Sequence, residues 1–130
     1  MKKLTKQEAI KNHRKMWNWI ADETQRQQRI VDQWDYLEAF DVKDVPETAC
    51  YCCEYAIQRI NVLLSGTLCD YCPINWGEGE SFCLNLYNEQ GEFVDNGLIH
   101  QWRFATDWRK AAELARKIAN LPENEGRRLK

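Results

Sequence analysis

Six cysteines fall between positions 50 and 83, and the rest of the 130-residue chain has none. Four of them form two spaced pairs: Cys50 and Cys53, then fifteen residues, then Cys69 and Cys72. This is the spacing of a four-thiolate zinc site. A Cys-x-x-Cys turn aims two sulfurs at one point. Two such turns, joined by a short element, close a tetrahedron with zinc–sulfur distances of about 2.3 Å. Pro73 stiffens the exit from the second pair. Cys52 is an alternative to Cys50 or Cys53, and Cys83 is either a fourth ligand or a small buried hydrophobe. A structural zinc contributes on the order of 10–16 kcal/mol of apparent binding free energy in small modules. The net stability of a whole domain is about 5–15 kcal/mol. Loss of the metal is therefore expected to unfold at least the middle of the chain.

Other cysteine chemistries fit less well. A disulfide framework belongs to secreted chains, and Met1–Glu8 leads into no apolar stretch that would serve as a secretion signal. The expected compartment is a reducing cytoplasm. A thioredoxin-like redox pair needs its Cys-x-x-Cys at a helix N-terminus in a βαβ setting, which the sequence does not present. Cys52-Cys53-Glu54 and Cys69-Asp70-Tyr71-Cys72 echo the zinc deaminases, but there the proline precedes the second pair. Here it follows. His13 sits on an apolar helix stripe and reads as a core residue, and His100 falls in an apparent strand. The glycine-bearing Gly77-Glu78-Gly79-Glu80 is acidic and would repel a phosphate. No catalytic residues are assigned, and the chain reads as a non-enzyme.

The elements that must position the cysteines are mixed. Thr5 and Glu8 have the spacing of a capping box. Ile10, His13, Trp17 and Ile20 then form an amphipathic stripe, predicting a long first helix over roughly 6–24, which the polar run 25–29 either continues or breaks. Residues 32–40 predict a shorter second helix with Trp34, Leu37 and Phe40 inward. Residues 54–64 predict a helix stopped by Ser65-Gly66, with β-branched residues leaving a strand open. Residues 82–87 and 97–104 read as two short strands around turn signals. Thr106-Asp107 opens a last helix that Pro122 ends. The expected fold is α+β: a small domain over 1–122, centred on a zinc knuckle, with a long N-terminal helix, a C-terminal helix and a short β-hairpin. Residues 123–130 are expected to be a polar tail.

Charge is segregated. Residues 1–29 carry a net +5 and residues 102–130 a net +4, while 30–55 carry −6 and 56–101 carry −5. The cysteine segment is thus acidic, whereas phosphate contacts need Lys and Arg. A nucleic-acid partner would have to meet the basic first helix, through Lys11, Arg14 and Lys15, and the C-terminal tail. Trp19 and Trp76 are the expected anchors for a protein partner, since tryptophan is enriched at binding hot spots. No apolar run is long enough to span a membrane.

The stretches LTKQEAIKNHRKMWNWIAD (4–22), CCEYA (52–56), CDYCPINWG (69–77) and AAELARKIANLP (111–122) together resemble small cysteine-rich proteins of Gram-positive bacteria and their phages and prophages. The similarity spans nearly the whole chain. Its most specific part is the order CxxCEYA…CxxCPIxW, whose pairs fall on Cys50, Cys53, Cys69 and Cys72 and leave Cys52 as an extra. The resemblance implies an accessory viral product in the host cytoplasm, without enzymatic activity. By class, such a product binds and inhibits a host or defence protein. The alternatives are a nucleic-acid binder and a protein that sequesters a nucleotide signal in a deep pocket.

Overall fold

The computed structural model describes residues 2–46, 49–63, 71–77, 83–87, 90 and 92–124. Among these the chain is a mostly helical α+β fold: α1 (Lys6–Gln27), α2 (Gln33–Ala39), α3 (Tyr51–Leu63), β1 (Asn85–Tyr87), β2 (Phe93–Asn96), α4 (Leu98–Arg103) and α5 (Trp108–Ala119).

The start of α1 follows from its sequence. Thr5 Oγ1 accepts the Glu8 N–H at 3.1 Å, and Glu8 Oε1 accepts the Thr5 N–H at 3.0 Å. Two otherwise orphaned donors are thereby satisfied. The helix runs past the expected residue 24 to Gln27 and stops where Gln28 turns left-handed, at φ 53°. Ile10, His13, Met16, Trp17, Ile20 and Thr24 are all buried. Burial of Ile10, Met16 and Ile20 alone stabilises the fold by roughly 1.5–3 kcal/mol each.

That stripe packs against α5, which supplies Ala111, Leu114, Ala115 and Ile118. The pair is antiparallel: Lys6 Nζ reaches Asn124 O (3.1 Å), His13 Nε2 reaches Ile118 O (3.1 Å) and Arg116 reaches Asn18 Oδ1 (2.7 Å) and Asp22. Asp107, one residue later than Thr106, is the N-cap of α5 and accepts the Arg109 N–H at 2.9 Å.

Three local readings change. On α2, Tyr36 and Leu37 are buried while Trp34 is 58 % exposed and Phe40 44 %. The Asp32 cap sets the helix phase, and the inner stripe passes through Gln33, Tyr36 and Leu37 instead of Trp34. On 98–103 a helix replaces the expected strand: Gly97 caps α4, and Trp102 packs edge-on against Trp17 at 4.8 Å. The apolar Leu98, Ile99 and Trp102 suit a helical turn as well as a strand, and the contact with Trp17 decides between them. On α3 the helix starts at Tyr51, so the first cysteine pair belongs to its opening turn.

β1 and β2 pair antiparallel, with Asn85 opposite Asn96 and an irregularity between Leu86 and Tyr87. Most of the residues joining them, and Phe82, lie outside the described residues. Glu123 and Asn124, at the start of the expected tail, are tied down. Glu123 bridges Ile74, and Asn124 is buried. Residues 125–130 lie outside the described set.

Candidate functional site

Five of the cysteines, Cys50, Cys52, Cys53, Cys72 and Cys83, line one cavity of about 90 Å³, together with His13, Trp17, Trp76 and Arg103. Cys69 lies outside the described residues. Of the expected four ligands, three therefore face a common space, joined by Cys52 and Cys83.

The first pair is set by the start of α3. Ala49 holds a left-handed φ of 56°, a cost for a residue with a Cβ. Two hydrogen bonds hold it there: its N–H donates to Pro46 O (2.9 Å), and Gln33 Nε2 donates to its carbonyl (2.8 Å). The chain then enters the helix at once, since the Glu54 N–H donates to Cys50 O at 3.0 Å. Cys50 Sγ acts as a sulfur cap, accepting the Cys53 N–H at 3.2 Å. A helix N-terminus favours negative charge, so this position suits a thiolate.

The second pair is set from the far end of the chain. Asn124 donates Nδ2–H to Cys72 O (3.1 Å) and its backbone N–H to Pro73 O (2.8 Å), and the Asn75 N–H donates to Pro122 O (2.9 Å). The segment after α5 thus clamps the 71–77 loop. Trp76 is turned inward, only 6 % exposed, and donates Nε1–H to Cys72 Sγ at 3.3 Å.

As thiols Cys50 and Cys52 are poorly disposed to ionise. The Cys53 thiol, then burial, push the Cys50 thiol well above its usual range. Burial, then the Cys72 thiol, do the same to Cys52. A reactive cysteine needs the opposite shift. The helix N-terminus that a redox pair requires is present at Cys50-x-x-Cys53, but the strands among the described residues pair antiparallel, with no βαβ unit. A bound metal reverses the local logic, because a coordinating thiol is deprotonated outright. Donors already aimed at Cys50 and Cys72 sulfur are of the kind that orient metal-bound thiolates. The donor set thus fits zinc in chemistry. Among the described residues, however, no three His, Cys, Asp or Glu side chains already converge on one ion position.

His13 is 1 % exposed, and its ring packs perpendicular to Trp76, with centroids 6.1 Å apart. Burial lowers its pKa to about 4, so it is neutral at physiological pH. Glu54 is buried on the opening turn of α3, beside Cys53.

The expected surface residues separate. Trp19 is half-buried against Tyr36 (5.6 Å) and Phe40 (5.9 Å). Lys11 is exposed, Arg14 donates to Leu121 O (3.1 Å), and Lys15 lies over the Phe40 ring (4.8 Å). The sequence reading missed a second surface. Ile30, Trp34, Trp102, Arg103 and Ala105 line an open groove of about 400 Å³, and Phe104, 72 % exposed, stands in sequence between two of these residues. An exposed tryptophan at an N-capped helix start was the available signal, but the apolar period pointed it inward.

No family model matches the chain, and no curated protein or solved structure matches it either. No helix among the described residues is long and apolar enough to cross a membrane.

Proposed function

We propose that this chain is a non-enzymatic, zinc-stabilised binding protein of the phage-accessory kind, which acts on a host or defence protein in the cytoplasm, as an inhibitor. The observation that carries this reading is the size and lining of the central cavity. At about 90 Å³ it has room for an ion or a few waters, each water's share of liquid being about 30 Å³. Pockets that enclose small molecules run to roughly 300–1,000 Å³. A sulfur-lined space of this size suits a structural metal and does not suit a substrate or a nucleotide signal. Cys50, Cys53 and Cys72, which line the cavity, are the proposed ligands, with Cys69 as the proposed fourth.

Function then falls to the surface. Trp34 lines the groove described above, Phe104 stands in sequence between its lining residues Arg103 and Ala105, and both side chains are strongly exposed. Tryptophan and arginine are enriched among the anchors of a protein interface, and Arg103 shares the groove lining with Trp34.

A nucleic-acid reading keeps one supporting observation: α1 and α5 lie side by side, which brings the two basic ends of the chain together. Many of those cations already have partners. Arg116 pairs with Asp22, Arg26 with Glu23, and Lys110 and Lys117 both meet Glu113.

The test is capture from host lysate, with and without nuclease, using the wild-type chain and a Trp34→Ser, Phe104→Ser double variant. A partner kept after nuclease and lost with the double variant supports the proposal. A partner that vanishes with nuclease, or binds both forms equally, overturns it. Metal content per purified chain tests the zinc separately.

A further inference from the structure

We infer that His13 is a metal ligand, offering Nδ1 to an ion that the cysteine thiolates of the same cavity also hold. The inference rests on the metal reading above and replaces its all-sulfur donor set with a mixed sulfur and nitrogen one.

The ring's two nitrogens are in different situations. Nε2 lies 3.1 Å from Ile118 O on α5. A carbonyl can only accept, so Nε2 carries the hydrogen and Nδ1 carries a lone pair. Nδ1 is buried and has no hydrogen-bond partner among the described residues. Leaving a buried acceptor unmatched costs about 1–3 kcal/mol, and buried polar groups in folded proteins are nearly always matched. The same imidazole lines the cavity shared by five cysteines.

This is the arrangement of a ligating histidine. Such a residue donates its other ring N–H to a carboxylate or backbone carbonyl, which sets the tautomer and the ring orientation. Zinc accepts imidazole nitrogen beside thiolate sulfur in three-cysteine, one-histidine and two-and-two sites. α1 carries the ring and α5 supplies the carbonyl on Nε2, while α3 and the 71–77 loop contribute cysteines to the lining of the same cavity. The described donors do not yet converge, so the ion itself draws them in, as expected where metal binding and folding are coupled.

The test uses the full chain, purified with zinc, as wild type and as His13→Gln. Glutamine can keep an N–H on the Ile118 carbonyl but lacks the Nδ1 base. Metal content is measured first, then zinc X-ray absorption. The expected wild-type result is a sulfur shell near ~2.3 Å plus one imidazole nitrogen at about 2.0–2.1 Å. In His13→Gln the nitrogen shell disappears. Zinc affinity, read by competition with a chelator, falls by more than the roughly 10–100-fold that losing a ligand's hydrogen-bond partner costs. Zinc bound to sulfur alone in the wild type overturns the role of His13 and leaves the metal reading standing. A wild-type chain that carries no zinc overturns both. Should the variant fail to fold, the wild-type nitrogen shell still decides.

Discussion

Asn124→Asp changes one amide into a carboxylate at a site that is 2 % exposed. The wild-type amide donates Nδ2–H to Cys72 O at 3.1 Å. Aspartate has no hydrogen to give when ionised, and it sets a negative oxygen against a carbonyl oxygen. The backbone bond from Asn124 N–H to Pro73 O, at 2.8 Å, persists in any variant, so the substitution reads the side chain alone. Taking this donor from the buried Cys72 carbonyl and burying a carboxylate against it costs about 1–3 kcal/mol, a large part of a domain's roughly 5–15 kcal/mol. With a urea m-value of about 2 kcal/mol/M, the midpoint should fall by roughly 0.5–1.5 M. Asn124→Ala should lose a similar amount, because it too removes the donor, and Asn124→Asp should lose at least as much. Urea unfolding followed by far-UV circular dichroism checks both. An aspartate variant as stable as the wild type would refute the reasoning, because the Asn124 side chain would then not be holding the Cys72 loop.

Thr5→Ala removes the acceptor of the α1 capping box and should cost about 0.5–2 kcal/mol in thermal or urea unfolding. Trp17→Ala empties a site 1 % exposed and should cost about 3–5 kcal/mol, with part of the loss arising from the edge-on contact with Trp102; Trp17→Phe should recover most of it. The Trp34→Ser, Phe104→Ser variant should unfold within about 0.5 kcal/mol of the wild type, since both side chains are exposed. A larger loss would place them in the core. Cys50→Ser and Cys72→Ser should each lose bound zinc and melt at lower temperature than the wild type, and a chelator should lower the wild-type melting temperature but not theirs.

The parts of this protein that were legible in its residues are those governed by neighbours a few positions away. The Thr5–Glu8 box, the Ile10–Ile20 stripe and the acid that opens α5 act within one or two helical turns, and each appears where local chemistry puts it. The crowding of cysteines between 50 and 83 was likewise readable, and five of them line one cavity. Distant contacts decided the rest. Residues 98–103 coil because Trp102 has Trp17 to pack against, not because their own pattern excludes a strand. Trp34 faces out because Tyr36 and Leu37 take the inner side of α2, and Trp76 faces in because the Cys72 sulfur accepts its N–H. Asn124 and His13 gain their roles from partners 52 and 105 positions away. A periodic pattern reports that a face will be buried; it carries no record of which carbonyl, ring or sulfur will lie across from it. That pairing exists only once α5 has folded back along α1.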